Sequence, residues 1–404
     1  MSSVQLRLSA WAGPSLACSV ALAFVSIAAS QIFLGLAILL FFAGSPQPWR
    51  PALHWPPGMR WAAAFLLLTL LAALLSGEAR SALPQIRKLF LWALLPLGAT
   101  LFRSAFHRSL FAYPSLAAVT ASALWSFWEY REKWLAAQAA GTDFYLAYVA
   151  ARITGFMSHW MTFSAHMLLG FCLALALLLY TRRSWATRAL LASLCLVFSA
   201  AILLAWTRSI WPGLALSSCL LVAYWRPRLL AALPVLALAA YLLAPASTQQ
   251  RMASIFSPQG QVDSNQHRAV TFSTGTRMIL AHPFLGLGPE GPGKHFREYL
   301  PPEWQSRPLP EGWYGHLHNV YLQYAAERGL PALFCFLVFV GLNVRLWLQR
   351  PSPLRRFALA AVAGLAVSAL FEHNLGDSEV LTLFLALLGI GAAAEPPPLA
   401  PTEA

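Results

Sequence analysis

The feature that most constrains this chain is the recurrence of apolar stretches about twenty residues long, the length at which a helix crosses the hydrocarbon core of a bilayer. With 58% hydrophobic and only 11% charged residues over 404 positions, the chain is too apolar for a soluble domain of its size. It reads as an all-α integral membrane protein. About twelve candidate spans begin near residues 10, 30, 58, 84, 109, 158, 186, 208, 228, 328, 354 and 378, those near 30 and 208 being short.

Charge placement supports an even count. With the N-terminus inside, Arg7, Arg50, Arg60, Arg103, Arg108, Arg182, Arg183, Arg188, Arg226, Arg228, Arg345, Arg350, Arg355 and Arg356 all fall on the cytoplasmic side, joined there only by the tail acids Glu395 and Glu403. Both termini are then expected to be cytoplasmic. The formal charge of +13 is mostly a topology signal, because the bases are scattered between spans and form no stripe with interleaved aromatics; nucleic acid is not an expected partner. The five cysteines, Cys18, Cys172, Cys195, Cys219 and Cys335, lie inside apolar spans without CxxC spacing, so neither a disulfide framework nor a metal site is expected. The first apolar segment lacks a convincing small-residue cleavage site and reads as a retained membrane helix.

Polarity returns between the ninth and tenth spans. The expected organisation is spans one to nine over 1–246, with a short outer segment near 131–157, then a large extracytoplasmic loop domain over 247–317. Spans ten to twelve follow over 318–394, and a Pro-rich, disordered cytoplasmic tail over 395–404. The outer segment, Arg131-Glu-Lys-Trp followed by Phe144, Tyr145 and Tyr148, suggests a short interfacial helix with aromatics at headgroup level. The large loop carries six cations, Arg251, Arg268, Arg277, Lys294, Arg297 and Arg307, and with His318 five histidines: His267, His282, His295, His316 and His318. That composition suits an anionic ligand and proton transfer. From His267 to Leu280 the spacing predicts a helix that stops before His282-Pro283, because the residue before proline resists helix. The glycines from Gly286 to Gly293 predict a turn-rich passage, weak as a phosphate cradle because it follows a helix.

Three side chains stand out as candidates for chemistry. Asn319 is a good N-cap for a helix running to Gly329, which places His318 at a helix N-terminus, where positive potential favours a neutral imidazole able to act as general base. The same position also suits a histidine that only hydrogen-bonds the loop. Arg208, in Thr207-Arg208-Ser209-Ile-Trp211, stands where two apolar spans meet at the outer surface; it either faces a cavity and binds phosphate or snorkels from a helix end. Arg268 gains weight as a ligand only if its loop helix folds back over Arg208 and His318. His316 is expected as a partner of His318. Asn319, Arg277 and Lys294 are further candidates for the substrate cavity. Glu327 is expected in a structural ion pair with an arginine, and Phe371-Glu372-His373-Asn374-Leu-Gly-Asp377 as a polar turn lining a cavity, without the spacing of a metal motif.

Together these residues are similar to the O-antigen ligase family and its relatives, the O-antigen polymerases and protein O-oligosaccharyltransferases. The family's outer motif pairs His with Asn, Ser or Gln, then nine residues, then Gly; here His318-Asn319, Val320 to Arg328, and Gly329. Its last element is Gly, Thr or Tyr three residues later, whereas Ala332 stands here. The Thr207–Gly213 stretch resembles the family's arginine motif. Arg268 through His282-Pro283-Phe-Leu-Gly286-Leu-Gly288 resembles its arginine helix and following turn, and Asn374–Asp377 its turn before the last span. The likeness covers about the C-terminal half; the N-terminal half matches only in hydropathy.

The resemblance implies a GT-C-like membrane glycosyltransferase of the bacterial inner membrane, its active site facing the periplasm. Such an enzyme transfers a preassembled glycan from undecaprenyl pyrophosphate to lipid A-core with inversion, without cofactor or required metal. By analogy His318 activates the acceptor hydroxyl, and Arg208 and Arg268 bind the donor pyrophosphate. A single dominant outer loop and a short tail after the last span favour ligase over polymerase or protein glycosylation. A transporter of anionic lipid-linked glycans is the alternative from another class, but it would call for inverted halves that the sequence does not display.

Overall fold

The computed structural model describes residues 3–47, 52–77, 79–256, 265–310 and 312–393, and every regular element among them is helical. In chain order these are α1 (Ser3–Leu22), α2 (Ile27–Gly44), α3 (Met59–Leu75), α4 (Ala79–Arg87), α5 (Leu94–Leu101) and α6 (Ala105–Ala140). Then come α7 (Phe144–Ala150), α8 (Trp160–Tyr180), α9 (Trp185–Leu204), α10 (Ile210–Trp225), α11 (Ala232–Leu243) and α12 (Ala246–Ala253). The rest are α13 (Asn265–Ala281), α14 (Gly291–Lys294), α15 (Pro302–Gln305), α16 (Val320–Gln349), α17 (Pro353–Ser368) and α18 (Ser378–Ala393). The expected tail over 395–404 lies outside the described residues.

By length and hydropathy five of the described helices can cross a membrane: α2, α6, α8, α9 and α16. Shorter apolar rods accompany them at α3, α10, Pro227–Leu243 and α18. The all-α membrane class stands on these; the figure of about twelve spans and the placement of the long loop rest on the sequence alone. The apolar stretch near residue 84 is not a single rod but α4, a 3-10 segment Lys88–Ala93, and α5, with Pro84 inside α4.

Most of α8 is buried, and it packs against α6, α9, α10 and α17. Lipid gives helices no hydrophobic reason to associate, so close approach through small residues has to supply the contact. A Cβ on Gly213 of α10 would lie 2.5 Å from the Gly364 carbonyl oxygen of α17, and one on Gly98 of α5 would lie 3.2 Å from the Cα of Gly389 in α18.

The outer segment departs from the expected interfacial helix. Arg131 to Gln138 simply continues α6, whose 36 residues contain no glycine. The helix ends where Gly141 turns left-handed at φ 63°, with the Gly141 N–H donating to the Gln138 carbonyl and the Thr142 N–H to that of Ala137. Tyr145 and Tyr148 of α7 are buried, 3% and 2% exposed, and packed around the indole of Trp206.

The expected loop helix is present as α13, ending at Ala281 before His282-Pro283. The loop has a small core of its own, in which Val270, Met278, Phe296, Leu300 and Leu317 meet Ala326 of α16. Asn319 caps α16, its side-chain oxygen accepting from the Leu322 N–H at 2.9 Å. The helix breaks at Gly329 (φ 82°, ψ 165°), and the turn after α13 fills the break. There the Leu287 N–H donates to the Ala326 carbonyl and the Leu330 N–H to that of Pro283, both at 2.8 Å, so groups freed by the break stay paired away from water. A Cβ on Gly329 would run into the Phe284 carbonyl, and one on Gly286 into the backbone of Glu327.

Gly329→Ala should therefore cost at least the roughly 1–3 kcal/mol of a strained left-handed residue, because backbone contact adds to the strain. Gly341→Ala, in the same helix with open space around it, should be neutral. Thermal denaturation of the detergent-solubilised protein checks this, and equal midpoints for the two variants would contradict the account of the break.

Candidate active site

Three chain segments are joined at the N-terminus of α16. The Val320 N–H donates to the Ala369 carbonyl at 2.9 Å and the Asn319 side-chain amide to that of Leu370, also at 2.9 Å, pinning the turn between α17 and α18 against the helix. From that turn Glu372, 3% exposed, points one carboxylate oxygen at each of two partners. Its Oε1 lies 2.6 Å from Nη2 of Arg268 on α13, and its Oε2 lies 3.6 Å from Nδ1 of His318.

Burial alone would push the Glu372 carboxyl upward, but the Arg268 charge, with hydrogen bonding from His318 and the charges of His318 and His316, brings it down to about 2. It is a permanent anion. His318 has φ 50°, a left-handed backbone uncommon outside glycine. Its Nε2 lies 3.1 Å from the Trp313 carbonyl oxygen, which can only accept. Both ring nitrogens of His318 therefore face groups that can only accept, the Trp313 carbonyl at Nε2 and the ionised Glu372 carboxylate beside Nδ1. The same carbonyl takes His267 Nε2 at 2.9 Å. The His318 N–H donates to His316 Nδ1 at 3.3 Å, so that nitrogen is unprotonated.

Arg208 is placed by Trp206. This residue is fully buried between α9 and α10 with φ 52°, its indole N–H donating to the Thr248 hydroxyl at 2.9 Å. Its carbonyl accepts from Arg152 Nη1 at 3.4 Å and Arg251 Nε at 3.5 Å. Arg208 then reaches the Ser254 carbonyl at 3.1 Å and the Asn265 side-chain oxygen at 3.0 Å, spanning from the α9–α10 junction to the start of α13.

These groups line one cavity of about 600 Å³. Four guanidinium groups face it, from Arg152, Arg208, Arg251 and Arg268, and five imidazoles, from His159, His267, His316, His318 and His373. Glu372 and Asp377 are its acids. Burial pushes the Asp377 carboxyl up to about 6, against the hydrogen bond it accepts from Thr162 at 2.6 Å. Burial also lowers His267 to about 4 and His316 to about 3, and it carries Arg152 down to about 9 with the help of neighbouring Arg251. Among the described residues no group of three or more His, Cys, Asp or Glu side chains is arranged to hold a metal ion.

The structure thus brings together Arg208, Arg268, His316 and His318, and with them the polar turn at Glu372. It does not bring Asn319, Arg277 or Lys294 to the cavity wall. Asn319 spends its side chain on capping, Arg277 is on an exposed face of α13, and Lys294 donates to the Ser81 hydroxyl of α4. Glu327 pairs with Arg328 at 3.1 Å, away from the cavity. Arg152, His159 and Trp160 were not legible beforehand. Their one signal is a base between the Tyr-rich stretch and the next apolar run.

The depressed imidazoles give a pH dependence with a definite sign. Neutral His267 and His316 stabilise the fold; that contribution is complete above the ordinary value of 6.5 and is lost as pH falls through about 4 and then about 3. Asp377 acts oppositely, its contribution being present below 3.8 and lost as pH rises through about 6. Comparison with His267→Gln isolates the imidazole: its melting temperature should fall less than that of wild type between pH 6.5 and 4, and parallel curves would refute the assignment.

Residues 194–337 match the family described as O-antigen ligase. That stretch runs from α9 through Arg208, the loop with Arg268, and His318 into α16 beyond the Gly329 break. No curated protein matches the chain. Over residues 194–337, which carry the arginine motif, the loop helix and the His-Asn-x9-Gly motif, the chain is similar to the O-antigen ligase family.

Proposed function

We propose that this protein is an O-antigen ligase, a glycosyltransferase that moves a glycan from undecaprenyl pyrophosphate to a sugar hydroxyl of lipid A-core. It would act in the bacterial inner membrane, the cavity facing the periplasm and both termini in the cytoplasm. The observation that carries this reading is the convergence of His318, Arg208 and Arg268 on one cavity from segments far apart in sequence.

In this reading the acceptor hydroxyl lies against Nδ1 of His318. Its oxygen attacks the anomeric carbon while the bond from that carbon to the pyrophosphate oxygen breaks, so the configuration inverts. The proton passes to Nδ1, and Glu372 stabilises the imidazolium that forms. The leaving pyrophosphate takes the bonding electrons, and Arg208 and Arg268 neutralise its charge by planar, directed hydrogen bonds. Arginines carry the task here without needing a divalent ion.

His318→Ala should lower transfer by about 10²–10⁴-fold while leaving donor binding intact. Purified protein given undecaprenyl-pyrophosphate-linked glycan and lipid A-core, with chelator present, tests this; undiminished transfer by the variant would remove His318 from the mechanism. Longer glycan chains or a glycosylated peptide as product would reassign the protein to a sister activity. Arg208→Ala should raise the donor dissociation constant, and unchanged donor affinity would make Arg208 a structural residue. Glu372→Gln keeps the shape but removes the charge. It should depress kcat more than donor affinity, and unaltered kcat would reduce Glu372 to a tether.

A further inference from the structure

The exposed face of α4 lies outside everything described above. Its positions Arg80, Leu83, Pro84 and Arg87 are all exposed, while Ala82 is buried and Ser81, Gln85 and Ile86 are half-buried. Residues separated by three, four and seven share one side of a helix, so the two guanidinium groups stand on one face with Leu83 and Pro84 between them, roughly 10 Å apart along the axis. The helix is fixed to the loop through its other side: the Gln85 amide donates to Glu290 Oε1 at 2.6 Å, and Lys294, also exposed, donates to the Ser81 hydroxyl.

This patch borders apolar surface above and below. Leu74 and Leu75, at the end of α3, are 66% and 67% exposed, and Phe90, just after α4, is 40% exposed. Leu83 is itself 45% exposed. Arginines flanking exposed apolar residues, at the end of the apolar rod α3, fit the headgroup region of a membrane. The next residue after α4, Lys88, donates to the Gly376 carbonyl, inside the turn whose His373, Asn374 and Asp377 line the cavity. The face is therefore joined to the cavity wall formed by the α17–α18 turn, whereas Arg208 enters from the α9–α10 junction.

We infer that the Arg80–Arg87 face of α4 is a docking surface for a lipid-borne phosphorylated sugar headgroup, the anchor of the acceptor glycolipid. Two cations on one rigid face match a headgroup with a phosphate at each end of a short saccharide, and Leu83 with the end of α3 meets its acyl chains. The proposal rests on the ligase reading for the identity of the acceptor, but the binding surface can be measured without turnover.

The test uses full-length protein in nanodiscs of neutral phosphatidylcholine, titrated with bisphosphorylated lipid A and with its dephosphorylated form. Wild type should prefer the phosphorylated lipid. Arg80→Gln with Arg87→Gln should weaken that binding about tenfold or more, since each basic residue at a membrane surface contributes about 1 kcal/mol, or roughly fivefold. Arg80→Lys with Arg87→Lys should restore most of it and serves as the folding control. Equal binding of the two lipids, an unaffected Gln variant, or equally tight binding of phosphatidylglycerol would overturn the inference. In transfer assays the Gln variant should lose rate with lipid A-core at low concentration but not with water-soluble core oligosaccharide. Binding without any transfer by wild type would instead strike the ligase reading alone.

Discussion

The arrangement depends on one buried carboxylate. Glu372 is 3% exposed, and a charge left alone in such a place costs several kcal/mol. Arg268 answers it from α13, a loop element seated on α16, and His318 answers from the N-terminus of α16. Removing one partner of a buried ion pair typically costs about 3–5 kcal/mol, enough to fix the loop helix over the cavity in one orientation. The same contact that closes the fold thus places an arginine and a histidine on either side of one anion.

The His-Asn-x9-Gly spacing has a mechanical explanation in this geometry. Asn319 starts the helix and Gly329 breaks it, ten residues or about 15 Å further along the axis. The turn from Pro283 to Leu287 occupies the break and pairs its backbone with both sides of it. Since α13 precedes that turn directly, the position of the break sets how far α13 is held from the N-terminus of α16. Arg268 is thirteen residues, or about 20 Å of helix, before Ala281, so it returns to the level of His318. Gly329 and Gly286 touch no cavity group, yet their lack of side chains is what lets the loop seat at that depth.

Local signals were legible in the sequence because local physics decides them. Proline after His282 ends α13, Asn319 caps α16, and Arg208 at a junction of apolar spans faces a polar space. The Arg131–Gln138 stretch misled because nothing in a window of that length reveals that α6 is uninterrupted for 36 residues. The aromatics after it looked interfacial, since Tyr at a span's end has the same composition whether it meets lipid headgroups or, as here, the buried face of Trp206. Arg277 and Arg268 were hard to separate: nine residues apart on one helix, they differ in outcome because helical geometry turns one toward Glu372 and the other outward. Arg152 and His159 pack against Trp206 and Trp160 on their way to the cavity, contacts that no spacing rule encodes.

The sharing of Glu372 also bears on when the charges are used. Its two oxygens are divided between Arg268 and His318, so the carboxylate lowers the pull of the guanidinium on other anions. On the ligase reading, a pyrophosphate that engages Arg268 draws that guanidinium partly away from Glu372. The carboxylate is then less neutralised, so donor and histidine sense the same anion. A separate carboxylate for each partner would hold both charges equally well, but it would not connect them.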